Sequence, residues 1–251
     1  MLRKIFGNLW FDYTEITVGI MIVAIIPARG GSRRIPQKNI KPFLGQPMIA
    51  YSINAARETG LFDKIVVSTD SDEIATISKK YGAEVPFIRP PALSDDHIGT
   101  DPVVLHALKK MLMAYGSIDY VCCIYATAPF IQPEYIRQGF ELLCKHGAMS
   151  AFSVTSFSSP VFRALKINSD GRLEMFWPDH LNTRSQDLPD AYHDAGQFYW
   201  AETKNYLKKQ LFYSKDAIPV ILPRYLVQDI DTPEDWETAE FMFKAINSGQ
   251  K

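Results

Sequence analysis

The sequence predicts an α/β protein with a mostly parallel, doubly wound sheet, and three observations support this prediction. Between residues 21 and 145, short apolar runs rich in β-branched residues alternate with longer, amphipathic segments. Glycines and prolines separate the two kinds of segment. After residue 149 the alternation gives way to closely spaced strand patterns, so a small antiparallel excursion beside the sheet is expected.

The first half of the chain is expected to wind strand, helix, strand, helix. The run at residues 22–26 is short, β-branched and closed by Pro27, which is typical of a buried strand. This rhythm favours parallel strands joined by right-handed crossovers. The later elements are helices from 48 to just before Gly60, at 72–81, 102–115 and 133–145, strands at 64–68 and 120–125, and a short extended piece at 85–88.

The second half is expected to leave the parallel sheet. Residues 151–156 alternate as a half-exposed strand, and a turn signal at 169–171 marks a short hairpin. Segment 158–190 is therefore predicted to be an excursion with an aromatic partner surface made by Phe162, Phe176 and Trp177. The chain then returns through strands near 197–201, 219–222 and 225–228 to a C-terminal helix that begins at Pro233.

Composition places the chain in one globular domain. The 251 residues are 47% apolar and 22% charged, which is enough for a core without disulfides or structural metals. The net charge of −1 provides no global field for nucleic acid or an anionic membrane, so neither is expected as a partner. Three cysteines, two of them adjacent at Cys122 and Cys123, have neither disulfide nor metal-ligand spacing, and they predict reduced thiols in a cytoplasmic protein.

The first twenty residues differ from the rest. Asp12 and Glu15 interrupt their apolar segment, so it has the form of neither a signal peptide nor a membrane span. Because Met21 immediately precedes the first strand, we expect Met21 to be the natural start and residues 1–20 to be a disordered or loosely docked extension outside the native structure. Residues 21–251 then form the domain.

The loop after the first strand is a candidate phosphate site. Gly30 and Gly31 let the backbone approach a ligand closely, and cationic side chains surround them. Guanidinium and ammonium groups around such a turn suit a triphosphate. A solvated basic surface is the alternative, since the loop lacks both the P-loop ending and the third glycine of a dinucleotide fingerprint. The cations are Arg29, Arg33, Arg34 and Lys38.

Two carboxylates before the C-terminal helix are a candidate metal site. Asp229 and Asp231 alternate with Ile230, so an extended backbone places both carboxylates on one face. Mg²⁺ binds substrate phosphates through one or two carboxylates. The alternative is a plain helix start in which the acids favour the helix dipole. A triphosphate loop together with a carboxylate pair supplies the parts for nucleotidyl transfer.

Several motifs together resemble one enzyme family. The opening A-R-G-G-S-x-R-x-P-x-K-N, S-T-D at 68–70, T-x-P at 127–129, R-x-Q at 184–186 and D-I-D-T at 229–232 are similar to those of the CMP-nonulosonate (sialic-acid-like) cytidylyltransferases, over residues 21–247. The run H-D-A-G-Q-F-Y-W at 193–200 resembles the pseudaminic acid branch more than the N-acetylneuraminate branch. The sequence departs from the sialic-acid members at Tyr125-Ala126 and at residues 194–197, both on the sugar side.

The resemblance implies a Rossmann-like nucleotidyltransferase that transfers CMP from CTP to the anomeric hydroxyl of a nonulosonic acid, pseudaminic acid being favoured, and releases pyrophosphate. It further implies Mg²⁺, and a homodimer in which 158–190 is both dimerisation arm and part of the sugar site. Catalytic roles would fall to Arg29, Lys38, Asp229 and Asp231, the last two as metal ligands. CTP would be bound by Arg29, Gly30, Ser32, Arg33, Lys38, Asn39, Arg89 and Thr100, and the sugar by Tyr125, Thr127, Arg163, Arg184, Gln186 and Gln197.

Some alternatives stay open at this point. CMP-N-acetylneuraminate synthesis and a non-catalytic nucleotide-binding role are the competing functions, while a dehydrogenase would need the missing glycine fingerprint. Arg163 is equally well explained as a solvated charge, and His193 more often has a structural role than a catalytic one. No general base is identified.

Overall fold

The computed structural model describes residues 19–248, and a six-stranded sheet lies at its centre. The strand order is β10-β6-β9-β5-β1-β4. These strands are β1 (Ile22–Pro27), β4 (Lys64–Ser68), β5 (Tyr120–Ile124), β6 (Ser150–Ser156), β9 (Tyr192–Glu202) and β10 (Ala217–Ile221). Two small hairpins lie outside this sheet: β2 (Pro42–Phe43) with β3 (Gln46–Pro47), and β7 (Leu165–Ile167) with β8 (Leu173–Met175).

The pairing confirms the mostly parallel sheet. β1 lies parallel to both β4 and β5, with Ala24 opposite Ile65 on one side and Cys122 on the other. β10 is parallel to β6. β9 runs antiparallel between β5 and β6, where the chain returns from the excursion at 158–190.

Helices cover both faces of the sheet, as a doubly wound fold requires. They are α1 (Met48–Thr59), α2 (Asp72–Lys80), α3 (Thr100–Tyr115), α4 (Pro133–His146), α5 (Thr203–Lys209) and α6 (Pro233–Ser248). Alternate residues of β1 enter different cores: Ala24 and Ile26 pack in one cluster, and Val23 and Ile25 in the other. This two-sided burial explains why β1 is a continuous apolar run.

Close packing of α4 on β9 depends on Gly139. A Cβ atom at this position would lie 2.8 Å from Cδ1 of Trp200 and 2.9 Å from a ring carbon of Phe198. The Trp200 indole N–H donates to the backbone oxygen of Ile136, 2.9 Å away, one turn earlier in α4. The aromatic ring therefore occupies the space that a side chain at residue 139 would need.

Most predicted elements lie where the sequence places them, and two expectations need correction. The predicted strand at 225–228 is a 3₁₀ turn, Arg224–Leu226, because the chain turns after Pro223 to bury Leu226. The extended piece expected at 85–88 lies beside β4: Ile88 forms an isolated parallel bridge with Thr69, and Val85 and Phe87 pack against the two cores. Phe162 is half-buried rather than exposed, since its ring packs on Trp177 and His180.

The prediction for residues 1–20 concerns a segment of which 1–18 lie outside the described residues. Within the range 19–248, no helix combines the length and the apolar character that crossing a membrane requires.

Candidate active site

A cleft opens at the carboxyl ends of β1 and β5, which is where ligands bind in open α/β sheets. Pro27 and Arg29 enter it from the end of β1, and residues 125–127 from the end of β5. Thr100, the first residue of α3, and Asp231, just before α6, close the remaining sides. Of the predicted site residues, the cleft is lined by Arg29, Ser32, Arg33, Lys38, Asn39, Arg89, Thr100, Tyr125, Thr127 and Asp231.

The basic loop is held at both ends by side chains. The amide of Gly30 donates to the Asp70 carboxylate at 2.9 Å, and the buried Asn39 amide donates to the carbonyl of Arg29 at 2.9 Å. A Cβ atom on Gly30 would lie 3.1 Å from the Ser71 Cβ, so the loop packs closely against the start of α2. These contacts fix the backbone that carries the four cations.

Two carboxylates pair with all four cations of the loop. Asp96 accepts from Arg29 and, at 2.7 Å, from Nε of Arg33. Asp231 lies 2.9 Å from Arg34 and 3.2 Å from Nζ of Lys38. Lys38 also donates to the carbonyl of Ile230 at 2.7 Å. The predicted triphosphate loop and the acidic segment before α6 therefore meet in one place.

The start of α6 does not use Asp231 as its capping side chain. Thr232 Oγ1 accepts from the amide of Asp235 at 3.2 Å, and the Asp235 carboxylate accepts from the amide of Thr232 at 2.7 Å. This reciprocal pair satisfies the helix start. The Asp231 carboxylate is left to face the cleft, which argues against the plain helix-start interpretation.

The donor set at Asp229 and Asp231 fits a divalent cation. Partial burial, reinforced by the charge of Asp231, raises the pKa of the Asp229 carboxyl, while Lys38 opposes the shift. Two carboxylates that repel each other this way gain from a hard cation between them, and oxygen ligands suit Mg²⁺. Only Asp231 of the two lines the cleft.

A buried arginine and apolar side chains also line the cleft. Arg89 is 3% exposed, donates to Ser94 Oγ at 3.2 Å and lies 3.6 Å from the Asp70 carboxylate. Burial lowers the pKa of Arg89, an effect that Asp70 opposes and Arg29 reinforces. Leu93, Ile98 and Val103 line the same cleft. A guanidinium inside an apolar enclosure suits a planar, polar-edged ligand.

The predicted sugar residues are divided between the cleft and the excursion. Tyr125 and Thr127 line the cleft. Gln197 is buried behind it and donates to the carbonyl of Leu226 at 2.5 Å. Arg163 donates to the carbonyl of Thr183, and Arg184 pairs with Asp187 at 2.6 Å, both within 158–190. One chain does not bring Arg163, Arg184 or Gln186 into the cleft.

Sequence reasoning missed two carboxylates that organise the site. Asp70 belongs to the S-T-D motif, to which no role was assigned; in the structure its carboxylate accepts from the amide of Gly30, while Ser71 caps α2. Asp96 stands in a loop with no periodic pattern, so nothing local reveals its arginine partners. The signal that could have pointed to Asp96 is the charge of the basic loop, since four neighbouring cations require acidic partners.

The fold has a counterpart among solved nucleotidyltransferases. A CMP-2-keto-3-deoxy-manno-octonic acid synthetase, solved in complex with CTP, superposes with a TM-score of 0.66 over 90% of this chain and 99% of that chain. Its 16% sequence identity makes this a likeness of fold. The sheet of this chain thus has the fold of that CMP-2-keto-3-deoxy-manno-octonic acid synthetase.

Sequence relationships identify the family. The family model described as "Cytidylyltransferase" matches residues 23–243, and the chain belongs to this family. It is 42% identical to a pseudaminic acid cytidylyltransferase of Campylobacter jejuni over 222 residues, which cover 88% of this chain and 96% of the relative. It is 36% identical to a CMP-N,N'-diacetyllegionaminic acid synthase of Legionella pneumophila, with 87% and 94% covered.

Proposed function

We propose that this chain transfers CMP from CTP to the anomeric hydroxyl of a nonulosonic acid, pseudaminic acid being the favoured substrate, with release of pyrophosphate. One observation supports this above the others: four cations of the basic loop lie in a cleft with Asp231 and with the buried Arg89. The relationship to the Campylobacter jejuni enzyme supports the choice of sugar.

The nucleotide would lie along the cleft with its triphosphate on the basic loop. Arg29 and Arg33 would exchange their carboxylate partner, Asp96, for phosphate oxygens, since charge-assisted bonds to phosphate are among the strongest that guanidinium groups make. Arg89 and Thr100 would contact the base. Gly30, Ser32 and Asn39 would shape the backbone around the phosphates, with the side chain of Asn39 supporting the loop.

We propose that Asp229 and Asp231 hold Mg²⁺. Once bound, the ion supplies charge neutralisation at the reacting phosphate and at the leaving pyrophosphate. Lys38 would remain near Asp231 and keep a positive charge at the phosphates, and Arg29 would orient the α-phosphate for in-line attack. The carboxylate pair can be tested without turnover: Mg²⁺ should raise the melting temperature of the wild type in the presence of CTP, and should do so far less for Asp231→Asn.

The central experiment follows pyrophosphate release from CTP and Mg²⁺ with a panel of nonulosonic acids. We expect the fastest turnover with pseudaminic acid. A preference for N-acetylneuraminate would favour the alternative function, CMP-N-acetylneuraminate synthesis, although this chain departs from the sialic-acid members at residues 125–126 and 194–197. CTP binding without pyrophosphate from any sugar would leave a nucleotide-binding protein. The wild type should release no pyrophosphate when the sugar is omitted.

We further propose a homodimer built on the excursion. Leu165, Ile167, Leu173 and Met175 share one face of the β7-β8 hairpin because they are cross-strand partners, and Ile167 and Leu173 are 73% and 71% exposed. The opposite face carries the Lys166–Glu174 ion pair at 3.3 Å. A second copy would cover the apolar face, and Arg163, Arg184 and Gln186 would then reach the partner's cleft.

Sedimentation can test the dimer directly. The wild type should have twice the chain mass, Ile167→Glu should have the chain mass, and Glu174→Gln on the charged face should leave the mass unchanged. A monomeric wild type would refute this proposal.

We also propose a cytoplasmic location, supported by three cysteines that are free within residues 19–248, two of them buried together.

A further inference from the structure

A tight turn of four residues leads the chain into Lys38. The amide of Lys38 donates to the carbonyl of Ile35 at 3.2 Å, and this bond closes the turn. Pro36 is the second residue of the turn, and Gln37, with a φ of 53°, is the third. Because the proline ring holds φ near about −65°, a positive φ at the next residue makes this a type II turn.

Gln37 stands where a type II turn favours glycine or asparagine. A residue with a Cβ atom is strained at positive φ, because the Cβ atom crowds the carbonyl oxygen that follows it. Within residues 19–248, three residues other than glycine have a positive φ, namely Gln37, Leu44 and Gln210. Such strain persists only where the surrounding contacts hold it, and it is concentrated at functional sites.

Contacts on both sides of Gln37 hold the turn in place. Before it, Ile35 is 3% exposed and packs in the cluster that contains Trp236. After it, the amides of Ile40 and Lys41 both donate to the carbonyl of Gln37, each at 2.9 Å. The φ of Gln37 therefore sets the direction in which the chain continues into residue 38.

The side chain of Gln37 contributes less than its backbone. Its Nε2 donates to the Glu73 carboxylate of α2 at 3.0 Å, and this bond is exposed, so water competes for both partners. Gln37 does not line the cleft. Any effect of this residue on a ligand must therefore pass through the turn.

Lys38 is the residue whose position depends on this turn. Its Nζ donates to the carbonyl of Ile230 at 2.7 Å and lies 3.2 Å from the Asp231 carboxylate. A negative φ at residue 37 would open the turn and redirect the whole Lys38 side chain. A displacement of about 1 Å at a reacting group can reduce a rate by about 10²-fold.

We propose that Gln37 is a positioning residue whose left-handed backbone conformation aims Lys38 at Asp231 and at the phosphates. This inference rests on the proposed function, which assigns Lys38 to the triphosphate. It adds a residue that touches no substrate and controls the cation that does.

The test is Gln37→Val, since a β-branched side chain is strongly disfavoured at positive φ. We expect kcat to fall about tenfold or more, and no further than in Lys38→Met. The KM for CTP should change less than about threefold, because Lys38 acts on charge that develops in the transition state. The measurement is pyrophosphate release with CTP, Mg²⁺ and pseudaminic acid.

Gln37→Gly separates the backbone from the side chain. Glycine adopts positive φ without strain, so this variant should restore the wild-type kcat although it also lacks the bond to Glu73. A loss of kcat equal to that of Gln37→Val would overturn the inference, because it would assign the effect to the glutamine side chain.

A double-mutant cycle shows whether Gln37 acts through Lys38. When Gln37→Val is added to Lys38→Met, kcat should fall no further, since the group that the turn positions is already gone. An undiminished loss in that background would overturn the inference.

The matched control is Gln210→Val. Gln210 is also an exposed glutamine with a positive φ, 59°, but it follows α5 and does not line the cleft. This variant should lower the melting temperature about as much as Gln37→Val does and should keep the wild-type kcat. If Gln37→Val likewise lowers only the melting temperature, Gln37 is a structural residue and the inference is wrong.

Two further outcomes are decided in other ways. If Gln37→Val does not fold, Gln37→Ala takes its place in the same comparisons, since alanine also carries a Cβ atom but crowds the backbone less. A wild type that releases no pyrophosphate with any nonulosonic acid would refute the proposed function instead. Crystal structures then test the turn: Nζ of Lys38 should lose the Ile230 carbonyl in Gln37→Val and keep it in Gln37→Gly, and an unchanged contact in both would overturn the inference.

Discussion

Replacing Asp96 by Asn should tighten CTP binding, because Asp96 occupies two cations that the triphosphate needs. Its carboxylate binds Arg29 and, at 2.7 Å, Arg33, and it is 23% exposed. Arg33 is 83% exposed, so its pair is well screened, and each partly solvated ion pair is worth at most about 1 kcal/mol. Breaking both ion pairs therefore reduces the free energy of CTP binding by about 1–2 kcal/mol in the wild type. Asp96→Asn lacks these pairs, so its dissociation constant for CTP should be about 5- to 30-fold lower.

Calorimetric titration with CTP at two salt concentrations measures this effect. The gain should shrink at about 0.5 M salt, since the pairs it removes are screened. Asp95→Asn is the matched control: it removes the same charge from the same loop, but the Asp95 carboxylate accepts only from the amide of His97, so its effect should be smaller. Weaker CTP binding by Asp96→Asn would refute the reasoning and would mean that Asp96 orders the arginines for the triphosphate.

Three further predictions follow from the site and the core. Lys38→Met should lower kcat by about 10²-fold or more by removing a charge aimed at the phosphates, whereas Lys41→Met, whose cation lies over Trp236, should retain activity. Gly139→Ala should destabilise the protein by about 1–3 kcal/mol in urea unfolding because of its contact with Trp200, while Gly99→Ala, with open space around it, should change stability little. The pKa of the Asp229 carboxyl is raised in the folded protein. Protonated Asp229 therefore stabilises the fold below its ordinary pKa of about 4, and this stabilisation is lost as the pH rises through the raised pKa. Metal-free Asp229→Asn should therefore melt higher than the wild type at pH 7 and no higher at about pH 4; an equal difference at both pH values would contradict the assignment.

The sequence predicted the sheet well because its signals are local. The apolar run of β1, the cap at Gly60 and the turn at 169–171 each depend on a few adjacent residues, and all three are confirmed. The strand expected at 225–228 was wrong because Leu226 is buried in a cluster with Trp236 and not in the sheet. Local pattern cannot distinguish these two kinds of burial.

Site residues could be predicted from the sequence only where they belong to a recognisable motif. The basic loop and Asp231 could be named from the chain, yet their meeting at 2.9–3.2 Å depends on contacts about 190 residues apart. Asp96 could not be named, since its partners Arg29 and Arg33 are distant in the sequence and its own segment has no signature. The motif S-T-D contains Asp70, but it does not reveal that Asp70 binds the amide of Gly30. The residues of the excursion could be named but not placed, because a second chain would be needed to bring them to a cleft.

The two carboxylates that neutralise the basic loop impose different requirements on a ligand. Asp96 lies on the loop before α3, and an incoming anion can replace it as the partner of Arg29 and Arg33. Asp231 is fixed at the start of α6 by the bond from its own amide to Asp235 at 3.0 Å, and it lies beside Asp229, so losing Arg34 and Lys38 would leave two unscreened acids. A free triphosphate should therefore displace Asp96 readily and Asp231 poorly, and a divalent cation should help CTP most at the Asp231 end. If so, Asp96→Asn should tighten CTP binding with or without Mg²⁺, and Asp231→Asn should tighten it only in the absence of Mg²⁺. Equal responses of the two variants to Mg²⁺, measured by calorimetry, would show that the carboxylates are equivalent.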